Sequence, residues 1–200
     1  SSAIDDLPLH VAARGYAVDV IGVVGPESNL AVAHTRNGRI GVLATPATVA
    51  SGAYERAVLT ADPHVRLTSV PCPQLAQISQ TGAPITEQDV QLARDYCAPL
   101  RAAGVDTVIL GCTHYPFVRA LLQRLLGPHV TLVTSGTAIA RRVEHALALR
   151  DLMTSRTEGE GRYGFLCTGD AEAFADIGTR FLQLPMGAVD HVELPLKALA

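Results

Sequence analysis

The chain has 200 residues, of which 48% are hydrophobic and 18% charged, with a formal net charge of -3 and no tryptophan. That length supports a sizeable core in one large or two small domains. The mild acidity and the lack of a basic cluster exclude a nucleic-acid surface, and apolar runs no longer than a strand exclude a membrane span. The four cysteines, at 72, 97, 112 and 167, are widely spaced without a C-x-x-C pair. This pattern predicts reduced thiols, a reducing cytoplasm and no zinc site.

Strand and helix signals alternate along the chain. Ser1-Ser2-Ala3-Ile4-Asp5 reads as the inside of a β-to-α junction, so the chain is expected to be a piece of a longer protein. Residues 18–24 form a short apolar run bounded by Gly25-Pro26, which predicts a strand. Residues 39–44 predict a second strand, followed by the loop Thr45-Pro46-Ala47-Thr48 and a helical stretch near 49–60. Residues 65–70 alternate apolar and polar side chains and end at Pro71-Cys72-Pro73. Residues 87–103 predict a helix: Thr86 and Asp89 fit a capping box, and Val90, Ala93, Cys97 and Leu100 share one face.

Next comes a buried-looking strand, Thr107-Val108-Ile109-Leu110, running into Gly111-Cys112-Thr113-His114-Tyr115-Pro116. Pro116 suits a first helical turn, Val118, Leu121, Leu122 and Leu125 supply an apolar face, and Gly127-Pro128 ends the helix. Residues 130–133 predict a strand, and Ser135-Gly136-Thr137 open a helix running to about 150. Residues 153–161 read as a surface loop. A strand at 163–167, a helix start at Thr168-Gly169-Asp170 and a last strand at 189–194 complete the pattern. Strands alternating with helices predict an α/β protein with a mainly parallel sheet.

In such sheets ligands bind beyond the carboxyl ends of the strands. Small polar residues stand at those ends: Thr45 and Thr48, Cys112 to His114, Ser135 to Thr137, Thr168 to Asp170. Cys112 is the leading chemical candidate. A thiol between a strand end and a helix N-terminus has its thiolate favoured by unpaired N–H groups. His114, two residues on, adds a proton carrier. The plain alternatives are a buried structural thiol and a loop histidine. Thr113 either caps the next segment or holds a ligand carboxylate. Cys72 between prolines, Cys97 on a helical core face and Cys167 without a following histidine read as structural. The glycine turns match neither a P-loop nor a dinucleotide fingerprint.

At Gly111-Cys112-Thr113-His114-Tyr115-Pro116 the chain resembles the aspartate/glutamate racemase superfamily, and within it the glutamate racemases. The likeness extends over Ile40-Gly41-Val42-Leu43-Ala44-Thr45, Ala47-Thr48, Ser51-Gly52-Ala53-Tyr54, Cys72-Pro73 with the helix after it, and the segments 132–140 and 165–170. The resemblance implies two similar open parallel-sheet α/β domains facing across a cleft. Residues 28–133 would form the second domain. Residues 1–27 and 134–200 would belong to the first, incomplete at its N-terminus. It also implies a cofactor-independent, metal-free exchange of L- and D-glutamate by two thiols on opposite faces of the α-carbon, with D-glutamate supplied to peptidoglycan in the cytoplasm. Cys112 matches the second catalytic thiol and His114 the group assisting it. Thr113, His114, Thr45 and Thr48 match substrate-binding positions. Glutamate is the expected partner, with a homodimer left open and no membrane or direct nucleic-acid partner.

The departures from the family pattern are specific. The opening Asp-Ser-Gly, the Pro-Tyr-Gly and the first Cys-Asn-Thr are absent from these residues. Gln80 stands where the family usually has an acid, Gly25 replaces an acid before Pro26, and Thr134 replaces an aspartate before Ser135. With one catalytic thiol, these 200 residues alone are expected not to racemise. A racemase for another amino acid such as aspartate, and a racemase-like protein that only binds, are the alternatives. A Cys-His hydrolase would need an oxyanion hole and an orienting acid that the sequence does not display.

Overall fold

The structure is a computed structural model describing residues 14–15, 18, 20–80, 83–156, 158–159 and 161–194. The expected junction at residues 1–5 lies outside the described residues. The chain divides into two compact units, Ser1–Met153 and Thr154–Ala200.

In the first unit the elements run α1 (Val24–His34), β1 (Arg39–Ala44), α2 (Pro46–Ala50), α3 (Ala53–Ala61), β2 (Arg66–Pro71), α4 (Leu75–Gln80), α5 (Glu87–Ala102), β3 (Thr107–Gly111), a 3-10 turn (Tyr115–Val118), α6 (Arg119–Leu126), β4 (Thr131–Val133) and α7 (Ser135–Leu149). The second unit contains β5 (Phe165–Cys167), α8 (Ala171–Leu182) and β6 (Val189–His191), with β5 and β6 paired in parallel. The α/β class with a parallel sheet is as expected from the sequence.

The four strands of the first unit are all parallel, in the order β2-β1-β3-β4. Side chains alternate across the two faces. On one face Ile40, Val42, Ala44, Ile109 and Val133 pack with Val24, Ala31, Tyr54 and Val58 from α1 and α3. On the other, Leu43, Val108 and Leu110 pack with Leu100 of α5 and Leu122 of α6. Both faces of β1 and β3 are covered, which is why these strands read as unbroken apolar runs.

Three expectations are corrected. Residues 18 and 20–24 contain no strand, and a helix begins at Val24 instead. Gly25-Pro26 does not bound a strand; it lies in the first turn of α1, where a proline's missing N–H costs nothing. The loop expected at 45–48 is already helical from Pro46, where Thr45 caps α2, and the helical stretch after it continues as α3 beyond Gly52, which takes a left-handed φ of 64°. After Cys112 the chain first makes one 3-10 turn, Tyr115–Val118, before α6, so no α-helix starts at Pro116. The capping box at Thr86 and Asp89 is formed, and Ala93, Cys97 and Leu100 are the buried residues of α5.

The far end of the sheet is tied down by Asp106. Its carboxylate accepts from the Thr35 and Thr107 hydroxyls at 2.6 and 3.1 Å and from the Arg36 and Asn37 amides, each at 2.8 Å. The loop before β1 is thereby locked to the start of β3.

Candidate active site

Strand order places the site. From β1 the chain moves outward to β2 on one side, then returns to lay β3 on the other side of β1. The connections therefore diverge at the carboxyl ends of β1 and β3, the usual ligand position in an open α/β sheet. Ala44 pairs with Gly111 in the register, so Thr45 and Cys112 are the next residues out on adjacent strands. Two residues distant by 67 positions in sequence become neighbours at one sheet edge.

Cys112 is partly exposed, whereas Cys72, Cys97 and Cys167 are buried. Its Sγ lies 3.9 Å from His114 Nδ1, and the Thr113 hydroxyl lies 3.4 Å from the same nitrogen. The other ring nitrogen, Nε2, stands 3.0 Å from the Gln80 side-chain nitrogen at the end of α4. The imidazole is thus held between the thiol and a carboxamide. The turn beneath it is anchored by Tyr115, fully buried, whose hydroxyl donates to the Cys72 carbonyl at 2.9 Å. The Cys112 carbonyl accepts from the Tyr115 amide at 3.2 Å.

Thr45 and Thr48 face the same edge. Thr45 is the N-cap of α2: its hydroxyl accepts from the Thr48 amide at 3.4 Å and sits 3.0 Å from the Thr48 hydroxyl. The expected residues Cys112, Thr113, His114, Thr45 and Thr48 therefore gather in one place. Ser135 opens α7 beyond β4 in the same unit, while Thr168 to Asp170 belong to the second unit, where Asp170 caps α8.

Cys72 follows β2 at the same edge but is chemically different. Its Sγ donates to the Val70 carbonyl at 3.4 Å, and burial pushes its thiol up to about 12. Cys97, buried among Leu43, Leu100 and Leu122, is pushed up to about 11 by the same cause. Both are core thiols, as their sequence setting predicts.

Sequence reasoning missed two groups next to this edge. Glu27 of α1 is only 2% exposed, and the Tyr54 hydroxyl of α3 donates to its Oε2 in a short hydrogen bond. Ser135 makes a second side-chain hydrogen bond to Glu27. Burial pushes the Glu27 carboxyl up to about 7, against the pull of those two hydroxyls. The Tyr54 ring lies directly on Gly111: a Cβ there would stand 2.9–3.0 Å from its ring carbons and oxygen. Reading 18–24 as a strand hid Glu27, since only a helix at 24–34 turns that side chain inward.

The molecule is thus a parallel α/β protein whose strand ends present a partly exposed thiol beside an imidazole and hydroxyls. The Asp/Glu/Hydantoin racemase family model matches residues 5–143, and the chain belongs to that family. It is 39% identical to a glutamate racemase of Corynebacterium kroppenstedtii, over 92% of this chain and 70% of that protein. Among solved structures it is similar to glutamate racemase isoform RacE1 of Bacillus anthracis, with a TM-score of 0.85 and 31% identity over 94% of this chain and 70% of that one. It is also similar to the glutamate racemase of Francisella tularensis solved in complex with D-glutamate, with a TM-score of 0.83 and 25% identity over 97% and 72% of the two chains. The chain thus spans about 70% of the length of these relatives.

Proposed function

We propose that the chain carries the Cys112 side of a glutamate racemase site, exchanging the α-proton of glutamate without a cofactor. The observation that supports this most is the Cys112–His114 pair, 3.9 Å apart at the edge where β1 and β3 diverge, in a chain similar to glutamate racemases over most of its length.

The chemistry needs a base on one face of the α-carbon and an acid on the other, because a single base returns the proton to the face it left. Cys112 as thiolate removes the α-proton, or as thiol delivers one. His114 takes up or returns the thiol proton, and Gln80 fixes the ring. Thr113, Thr45 and Thr48 offer hydroxyls and N–H groups for the substrate carboxylates. The second thiol of such a mechanism is not Cys72, whose buried Sγ is engaged with Val70. In this reading residues 28–133 form the second racemase-like domain, residues 1–27 and 134–200 belong to the first, and the product D-glutamate serves peptidoglycan synthesis in the cytoplasm.

A racemase-like protein that binds without racemising is favoured by one observation. Gln80, where relatives usually carry an acid, faces His114 with an amide and contributes no charge to hold an imidazolium.

The test is α-proton exchange followed by NMR in D₂O with L- and D-glutamate separately, with Cys112→Ala as control. Cys112-dependent exchange of one enantiomer, without inversion, is the outcome expected of a one-thiol site. Exchange with inversion would show that a second acid operates within this chain. Absence of exchange from folded protein would sink the proposal in favour of the binding reading.

A further inference from the structure

We propose that Glu27 is a positioning residue for Cys112: it holds the Tyr54 phenol against Gly111, and a change in its charge or shape is transmitted to the adjoining thiol. Four observations carry this. Glu27 is almost fully buried, on a helix that packs across the sheet. The Tyr54 hydroxyl donates to it, and Ser135 makes the other side-chain hydrogen bond. The held ring fills the space a side chain at Gly111 would need. Gly111 is bonded to Cys112, so the thiol follows a stretch of backbone whose open side the Tyr54 ring occupies.

A buried acid partnered by two hydroxyls is a poor way to stabilise a core, because its desolvation is costly in either state of pairing. An apolar side chain would do that better. Groups kept at such a cost, and titrating near neutrality, cluster at functional sites. Burial places the Glu27 carboxyl at about 7, so its charge changes in the range where a thiol-based proton transfer operates.

Among the described residues, the groups that face Glu27 are few. From α3 it meets Tyr54, and from α7 Ser135. Beyond β3, Cys112 acts electrostatically on Tyr54. The β4 residues Thr131-Leu132-Val133 carry nothing titratable. Arg56, Arg142 and His145 line the cleft along Asn29, with Arg141 in the adjoining cleft, and Glu27 borders neither.

The experiment reads the thiol directly and does not require turnover, so its failure is separate from failure of the racemase reading. Carbamidomethylation of Cys112 by iodoacetamide is timed by peptide mass spectrometry at about pH 5.5 and about pH 8 in the wild type, Glu27→Gln and Tyr54→Phe. Glu27→Gln removes a negative charge that is present only at the higher pH. Its Cys112 rate is expected to exceed the wild type by about threefold at pH 8 and to match it at pH 5.5. Tyr54→Phe frees the ring from its tether and is expected to change the rate at both values. A folded Glu27→Gln with wild-type rates at both pH values overturns the proposal. If that variant does not fold, an unchanged profile in Tyr54→Phe overturns it instead.

Discussion

The Gln80 side-chain nitrogen stands 3.0 Å from His114 Nε2, while Nδ1 of the same ring lies 3.9 Å from the Cys112 sulfur. A carboxamide can offer either its N–H or its oxygen to a ring nitrogen, so it accommodates both tautomers of the imidazole. With the amide oxygen turned to Nε2–H, Nδ1 is free to accept the thiol proton. With the amide N–H turned to Nε2, Nδ1 carries a proton toward the sulfur. In the proposed transfer, uptake of the thiol proton at Nδ1 makes an imidazolium whose Nε2–H stays on the amide oxygen, so Gln80 orients the ring without having to turn.

Gln80→Leu removes this tether. Cys112-dependent α-proton exchange is expected to fall about tenfold, and His114→Ala to cost about a hundredfold. Gln80→Glu keeps an acceptor for the ring and is expected to retain at least the wild-type rate. NMR exchange in D₂O ranks the variants, and a Gln80→Leu rate equal to wild type would remove Gln80 from the site.

Thr45 caps α2 and, in the proposed site, also offers its hydroxyl to a substrate carboxylate. Thr45→Ala deletes the α2 cap and is expected to lower stability by about 1 kcal/mol in urea unfolding. It is also expected to raise the half-saturating glutamate concentration. Thr45→Ser keeps the hydroxyl and should preserve both properties.

Gly111→Ala tests the close approach of Tyr54. The new methyl would meet the ring at 2.9–3.0 Å, and the ring cannot swing away while its hydroxyl is bound to Glu27. Such overpacking is expected to cost about 1–3 kcal/mol, measured by chemical unfolding. An undiminished unfolding midpoint would mean that Tyr54 yields freely.

Glu27 gives stability a pH dependence of definite sign. Its carboxyl is raised from 4.5 to about 7, so between those values the folded state binds more proton than the unfolded state. Its contribution is complete below pH 4.5 and is lost as pH rises through 7, by an amount on the order of 3 kcal/mol. Glu27→Gln should abolish that loss. Urea unfolding of both proteins at about pH 5 and about pH 8 supplies the comparison.

Much of this architecture was legible in order along the chain. β1 runs over Arg39–Ala44 as expected, because a strand covered on both faces must be apolar throughout and its neighbours Gly38 and Thr45 break the run. α5 was legible from its cap and from Ala93, Cys97 and Leu100 on one face. α1 was not. Its buried residues include Glu27 and Ser28, so its inward face has no apolar stripe for periodicity to reveal. The gathering of Cys112, Thr113 and His114 is local and follows from three consecutive residues.

By itself, then, the sequence determined which segments are strands at the centre of the sheet and which residues carry a thiol, an imidazole and small hydroxyls at their ends. Those properties depend on neighbours a few positions away. Tertiary structure alone decided that Thr45 adjoins Cys112, that Gln80 meets the far side of His114, and that Glu27 reaches Tyr54 behind Gly111. These pairings depend on strand order and helix packing, and the free energy that fixes them comes from burying both faces of the sheet.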